Sequence, residues 1–378
     1  MDTPALQIPI WNETSLATPL PVASGVQSAD VCVVGLGGSG LSAIEVLLDA
    51  GLRVVGVDRG GIAAGAAGRN GGFLLAGVAD FHHRAVTRLG ATRACSLYQA
   101  TAQELVRWFS SADTVARRTG SLRIAADAAE FEDCLAQASA MQADGFNVEM
   151  YEGLQGKGLL FPDDGVFHPA RHWNRLADAL LQRGARLFGG SSVLSIQSGV
   201  VVTAQAQIHA VRTLICVDGG LERLLPALAG RVRSARLQML ATLPLPLHEQ
   251  RPVYFRDGHD YWQQLDDGRI ALGGGRDIGG SSEWGAPPLP SDKVQNYLEL
   301  IARRQFGKAV EVSHRWAAEV AYSDNGLPIF GEVSPGLYAC GAYSGTGNVL
   351  GVLCGRALAR RALGQTSDIA ELLSGIDE

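Results

Sequence analysis

Apolar and polar residues follow different periods along this chain, and the changes of period mark its elements. In "ADVCVVGLGGSGLSAIEVLLDAGLRVVGVD" (29–58) an apolar run leads into a glycine turn, then apolar residues at helical spacing, then a second apolar run. That order predicts strand, turn, helix, strand, and a strand apolar on both faces is one buried in a parallel sheet. Helical spacing returns at 91–114 and 128–145, around "RRTGSLRIA", which predicts a helical insertion. Residues 168–197 read as helix then strand with Gly184 as the C-cap, and "GVVVTAQAQIHAVRTLICVDGG" as a hairpin and a buried strand. Between about 232 and 275 the period drops to two, with turns at Asp257-Gly258 and Asp267-Gly268, so an antiparallel sheet is expected there. "SDKVQNYLELIARRQFG" is a helix with a Ser-Asp start. "GLYACGAYSGTGNVLGVLCGRALARRAL" repeats strand, glycine turn, long helix, and predicts a further glycine turn at the edge of the first sheet. Residues 1–29, with four prolines and little periodicity, read as an extended arm over the surface.

The first glycine turn carries chemistry. Gly35-Leu-Gly37-Gly38-Ser39-Gly40 fits G-x-G-x-x-G: the first glycine turns the chain, the second lets backbone approach a pyrophosphate, and the third lets helix pack on strand. Free N–H groups at the helix start then face the phosphates. Asp58 ends the second strand, 18 residues beyond Gly40, where a carboxylate can bind ribose hydroxyls, with Arg59 beside it. An NAD dehydrogenase would continue as an uninterrupted doubly wound sheet. Here the second strand runs into "RGGIAAGAAGRNGG" and an antiparallel region follows, which favours FAD.

Composition narrows the partners. With 378 residues a two-domain enzyme is expected, and a net charge of −6 with pI near 5.8 argues against nucleic acid. Six cysteines lie far apart without a C-x-x-C pair, as in a reduced cytoplasm, and no leader or membrane-length apolar stretch is read, so a cytoplasmic protein is expected. His82-His83 and His168 with His172 have metal-like spacing but no further ligand set, so no metal is expected. Ser39 and Ser344 lack a distinctive His-acid context, which excludes a hydrolase reading.

The chain resembles the D-amino-acid-oxidase-like flavoproteins, which include glycine and sarcosine oxidases and gamma-glutamylputrescine oxidase. The resemblance rests, in order, on "DVCVVGLGGSGLSA", "GRNGG", "HPARHWNRLADALLQRGARLF", "DGRIALGGGRD", "WAAEVAYSDNGLPIFGE" and "LYACGAYSGTGNVLG". It implies an α/β plus α+β fold: a Rossmann-like FAD-binding domain (1–80, 150–220 and 315–378) with an inserted antiparallel-sheet substrate domain (81–149 and 221–314). It implies that Gly68, Arg69, Asn70, Gly71 and Gly72 lie along the cofactor, with Arg69 and Asn70 bonding to it. Gly341, Gly345, Thr346, Gly347 and Asn348 would wrap the flavin's pyrimidine end, and the main chain of Val193 would touch adenine.

The same resemblance implies non-covalent FAD, since neither "RWAAEVAYSDNG" nor "GRNGG" holds the Cys or His that links flavin in some relatives. It implies oxidation of an amine, such as a gamma-glutamylated polyamine, by hydride transfer to the flavin, imine hydrolysis and reoxidation by oxygen to hydrogen peroxide. The alternative is an amino-acid oxidase or a dehydrogenase serving another acceptor. A nucleotide-binding subunit without turnover of its own is the reading from another class. No catalytic base is required. Candidates for the substrate pocket are Tyr254, Tyr261, Trp262 and Tyr343, with a place in the core as the alternative for each aromatic, and Glu319, which offers a carboxylate either to a cationic amine or to a buried structural ion pair. Carboxylate-binding relatives place an Arg near Val320, and Arg315 or Arg276 would be its substitutes here.

Overall fold

The apolar run Val31–Val34 forms the buried end of a strand, Gly25–Val34, flanked in parallel by Val54–Val57 and by Ala206–Cys216. The computed structural model describes residues 7–13, 15, 18–110, 115–197, 199–247 and 249–373; the last residues of the helix expected over 91–114 lie outside these. The chain separates into two compact units. One comprises Thr14–Arg69, Pro169–Ser234 and Glu319–Glu378, the other Met1–Glu13, Asn70–His168 and Ala235–Ala318.

The first of these units is the doubly wound one. Its parallel core runs Arg186–Phe188, Val54–Val57, Gly25–Val34, Ala206–Cys216, Leu337–Gly341. Two antiparallel strands, Val193–Gln197 and Val200–Thr203, extend the sheet beside Ala206–Cys216. Ile329–Ser334 pairs outside Leu337–Gly341, so the last glycine turn follows an inner strand and not the expected edge. The helices Gly38–Asp49 and Leu350–Ala362 follow the two glycine turns and touch closely: a Cβ on Gly355 would lie 2.0 Å from the Ser39 carbonyl. Gly184, at φ +95, ends the helix Pro169–Gln182 as its sequence position suggests.

The second unit is built on an eight-stranded sheet. Its order is Val312–Ser323, Val232–Thr242, Ile270–Gly274, Asp260–Gln264, Val253–Phe255, Ser121–Ile124, Gly156–Phe161, Glu149–Gly153. The hairpins expected at Asp257-Gly258 and Asp267-Gly268 are present, with positive φ at Asp257, Gly258 and Gly268. Two expectations are corrected. Ser121–Ile124, read as a link between helices, is a strand running parallel to Val253–Phe255. The segment 150–168, expected with the cofactor domain, supplies the edge hairpin of this sheet. Its strand Glu149–Gly153 has no buried residue, so no apolar period announces it. Two further boundaries, Ser234/Ala235 and Ala318/Glu319, fall inside continuous strands where no linker composition can mark them.

Residues 1–13 also belong to this second unit, and part of the expected surface arm is buried. Ile10 and Trp11 are 1% and 2% exposed in the short turn Ile10–Asn12, and Trp11 Nε1 donates to the Asn70 carbonyl at 2.8 Å. Among the described residues no helix is long and apolar enough to cross a membrane.

Candidate active site

The glycines of the first turn divide by what a Cβ would meet. On Gly35, at φ +101, it would stand 2.4 Å from the Cys216 carbonyl; on Gly38, 2.8 Å from the Trp173 ring; on Gly40, 1.8 Å from the Gly35 carbonyl. These three are fixed by the protein's own packing. Gly37, the residue before the helix Gly38–Asp49, would meet only the Ala67 methyl, at 3.3 Å. Its open side is the direction from which a ligand phosphate can reach backbone N–H groups at the helix start.

Asp58 shapes this turn. Its Oδ2 accepts from Leu36 N at 3.0 Å, and its Oδ1 from Gly60 N and Gly61 N at 2.7 and 3.1 Å. A carboxylate has about four acceptor sites, so one remains on Oδ2 for a ribose hydroxyl. Ser191 N donates to the Asp58 carbonyl at 2.8 Å, and that segment leads into Val193, first residue of its strand and only partly buried.

In the "GRNGG" loop, a Cβ on Gly68 would lie 2.3 Å from the Ala63 carbonyl, and Arg69 Nε donates to the Ala64 carbonyl at 2.9 Å. Burial pulls the Arg69 guanidinium below its ordinary range. Asn70 Oδ1 accepts from Gly72 N at 2.7 Å, an Asx turn that shapes the loop. Gly72, at φ +73, leaves no room for a Cβ, which would meet Gln263 Nε2 at 2.5 Å and the Phe167 carbonyl at 2.6 Å. Gln263 Nε2 in turn donates to the Gly71 carbonyl.

Beside Gly71 stands an aromatic group. Tyr254 and Tyr261 face each other across the hairpin, and Phe73 meets both edge-on, with ring centroids 5.4 and 5.9 Å away. A Cβ on Gly71 would touch the Tyr261 ring at 3.3 Å. The structure therefore brings Tyr254 and Tyr261 together and adds Phe73, which the sequence did not single out. Trp262 alternates to the opposite face, as strand neighbours do, and is 2% exposed in the core with Leu240, Leu272 and Leu298. It is not a pocket residue.

The last glycine loop is held in an unusual conformation. Ala342 and Ser344 have φ of +56 and +52, in the left-handed region, and Gly345 has φ of +96 with nothing within 4 Å of a Cβ. A Cβ on Gly341 would strike the Val217 carbonyl at 2.1 Å. Thr346 Oγ1 donates to the Tyr343 carbonyl at 2.8 Å, while Gly347 lies under the Tyr343 ring and Asn348 leads into the helix Leu350–Ala362. Tyr343 itself is 4% exposed and its hydroxyl bonds Ser39 Oγ at 2.7 Å, joining the two glycine turns. Its expected place in the substrate pocket is corrected to an internal bridge.

Glu319 is corrected as well. Its carboxylate pairs with Arg223 through two contacts of 2.7 Å and with Arg59 at 3.3 Å. Burial pushes this carboxyl up, but the hydrogen bonds and charge of Arg223, with those of Arg59, more than offset it and leave it below the ordinary range. Arg223 also lies 3.7 Å from Glu222, so the group is an ion-pair network in which the Glu319 carboxylate is already taken, not one waiting for a cationic amine. Of the proposed carboxylate anchors, Arg315 is committed to Glu299 and to Gln295 Oε1, and Arg276 stands over the Trp284 ring at 5.2 Å.

A ligand set around His82 was missed by sequence spacing, because Cys95 and Asp144 come from other helices. The three ligand atoms lie within 4.8 Å of one another. Yet His82 Nε2 and Asp144 Oδ2 are 2.6 Å apart, a hydrogen bond, whereas two ligands of a tetrahedral zinc sit roughly 3.3 Å apart. His168 packs edge-on against Trp11, and burial, with the Arg356 charge, lowers His172 to about 4.

Two acids that the sequence reading passed over stand out. Asp164 accepts from Ser121 Oγ at 2.6 Å and Ala76 N at 3.0 Å, and burial pushes its carboxyl up to about 7. Asp218 is likewise raised to about 7, by desolvation, against the backbone N–H groups that bond it. For Asp218 the signal was available, since "LICVDGG" ends a buried strand on an acid followed by glycines, as "VVGVDRGG" does at Asp58.

A raised acid has a definite pH signature. The native state keeps the Asp164 proton up to about pH 7, while the unfolded chain releases it near 3.8. Between those values the native state binds more protons, so this contribution to stability is full below pH 4 and is lost toward 7, at about 1.4 kcal/mol per pH unit at most. Asp164→Asn is expected to flatten the fall of unfolding free energy between about pH 5 and 7. Denaturant unfolding at several pH values checks this; an unchanged slope contradicts it.

Residues 30–361 match the family described as FAD dependent oxidoreductase. The chain belongs to that family. An FAD-dependent oxidoreductase of this family is what the glycine turns already suggested: the open side of Gly37, the remaining acceptor on Asp58 and the open Gly345 fit a dinucleotide flavin. The chain is 28% identical over 379 aligned residues to a probable oxidoreductase, OrdL, of Rhizobium meliloti (strain 1021), covering 92% of this chain and 86% of the relative. It is 25% identical to the gamma-glutamylputrescine oxidoreductase of Escherichia coli (strain K12) over 362 residues, 88% of this chain and 83% of that one. Among solved structures, glycine oxidase from Geobacillus kaustophilus superposes with a TM-score of 0.75 at 20% identity, over 93% of this chain and all of that one. L-proline dehydrogenase from P. horikoshii gives 0.70 at 18%, over 93% and 96%. These structures share the fold.

Proposed function

We propose that this flavoenzyme oxidises the C–N bond of an amine that is not a simple α-amino acid, with a gamma-glutamylated polyamine as the leading substrate class. The observation that carries this reading is local: Val320, an apolar, 8% exposed residue, stands near where carboxylate-binding relatives place an Arg, and Arg315 is bound by Glu299. The gamma-glutamylputrescine oxidoreductase relative supplies the substrate class. Bound FAD supplies the hydride acceptor.

The chain's residues provide binding and orientation. The turn Gly35–Gly40 would offer backbone N–H groups to the pyrophosphate, Asp58 Oδ2 would accept from a ribose hydroxyl, and the main chain of Val193 would hold adenine. The loop Gly68–Gly72 and the turn Gly341–Asn348 would hold the flavin ring system. Tyr254 and Tyr261, with Phe73, are the proposed apolar contacts for the substrate, whose part would be to orient it and exclude water. No side-chain base is assigned; the amine must arrive unprotonated, and the imine leaves to hydrolyse in water. Oxygen is the proposed acceptor, with peroxide as co-product.

Peroxide release from an amine panel tests the acceptor and the substrate class together. Turnover of gamma-glutamylputrescine with stoichiometric peroxide is expected; efficient turnover of glycine or D-alanine would overturn the substrate assignment and return Arg276 as a carboxylate anchor. Turnover without peroxide, supported by an artificial quinone, would overturn the oxygen assignment. FAD is expected to leave with denaturation, giving colourless acid-precipitated protein and a yellow supernatant. Colour retained in the pellet would show a covalent link.

A further inference from the structure

Asp218 follows the strand Ala206–Cys216 directly and reaches three backbone groups on two other segments. Its Oδ1 accepts from Tyr343 N at 3.0 Å and its Oδ2 from Ala321 N at 3.3 Å, with Ala342 N a further donor. The turn it grips is the one with left-handed φ at Ala342 and Ser344, a conformation that persists in non-glycine residues only when neighbours hold it. Ser344 N also donates to the Ala321 carbonyl at 3.0 Å, and the Tyr343 hydroxyl reaches Ser39 at the first glycine turn. A single carboxyl thus ties the last glycine loop to the strand Val312–Ser323.

We propose that Asp218 positions this loop and takes up a proton from solvent when the bound flavin is reduced, so that its carboxyl sets part of the pH dependence of the flavin potential. The inference rests on the reading that the turn Gly341–Asn348 faces the flavin. On that reading, reduction of the bound flavin by hydride would place negative charge beside the loop. A carboxylate already disfavoured in its charged form answers by forming one O–H bond with a solvent proton, which removes one negative charge from beside the ring. Desolvation does most to disfavour that charge, and the nearby Glu319 carboxylate adds to it. Glu319 is itself paired by Arg223 and Arg59. Tyr343, Cys216 and Cys354, around the turn, are pushed well above their ordinary ranges and stay neutral, and Cys340 lies beside them.

The test is the flavin midpoint potential of the holoenzyme and of Asp218→Asn against pH. Above about pH 7, where the carboxyl is ionised before reduction, the wild-type potential is expected to fall more steeply than that of the variant by an amount approaching about 30 mV per unit, the equivalent of one added proton, or a tenfold change per pH unit, for a two-electron couple, while below about pH 6 the slopes converge. Parallel slopes would overturn the proposal, because a merely structural role lowers flavin occupancy without changing the slope. If Asp218→Asn does not retain flavin, redox-difference infrared spectra of wild-type holoenzyme labelled with 13C-aspartate decide. A protonated aspartic acid band appearing on reduction supports the proposal, and no such band overturns it. The cofactor reading fails separately, if Gly37→Val keeps its FAD; loss of FAD there with parallel slopes would sink only the role of Asp218.

Discussion

Gly37→Val is expected to fold and to purify without FAD. The backbone at Gly37, with φ −88 and ψ −169, is one that any residue adopts, and a Cβ meets only the Ala67 methyl at 3.3 Å. The protein therefore has room for valine, but the branched side chain fills the space through which a pyrophosphate approaches the helix start. Gly40→Ala makes the contrast. Its Cβ would sit 1.8 Å from the Gly35 carbonyl, so that variant is expected to lose stability, with flavin loss only as a consequence. Flavin absorbance per protein and circular dichroism separate the two. A folded Gly37→Val variant with full flavin content would place the cofactor elsewhere.

Trp11→Ala should be the most damaging change outside the glycine turns. Trp11 is 2% exposed, its ring packs on His168 and touches the position above Gly72, and its Nε1 holds the Asn70 carbonyl. Truncating a buried Trp costs about 3–5 kcal/mol, and here it also frees the loop Asn70–Gly72. A fall in melting temperature of several degrees, together with weaker FAD retention, is expected. Trp11→Phe should recover most of the packing but not the hydrogen bond, so it should recover melting temperature more fully than flavin retention. Equal recovery of both would mean that the loop does not depend on the Trp11 N–H.

The contrast between glycines and side chains explains what the sequence could reveal. Gly35, Gly37 and Gly40 were legible because a glycine turn between a buried strand and a helix is a local pattern, and the geometry gives each its reason. The parallel sheet was legible for the same cause: "VCVV" and "VVGV" are apolar on both faces. What failed was long-range. Glu319 looked available because its partners, Arg223 and Arg59, are remote in sequence, at separations of 96 and 260 residues. Trp262 and Tyr261 looked equivalent until the pleat sent one into the core. Tyr343 looked like a wall residue until its hydroxyl was found on Ser39. The segment Gly156–Phe161 was placed in the wrong unit because its partner strand, Ser121–Ile124, lies across a helix in the chain.

Anaerobic mixing of the holoenzyme with gamma-glutamylputrescine, followed by the flavin absorbance, tests the central claim most directly. Bleaching of the oxidised flavin band by gamma-glutamylputrescine, at rates far above those with glycine, sarcosine or D-alanine, is the result expected of the proposed amine oxidoreductase with Val320 near the place of the carboxylate-binding Arg. Rapid bleaching by the small amino acids, with none by gamma-glutamylputrescine, putrescine or other polyamines, would contradict it.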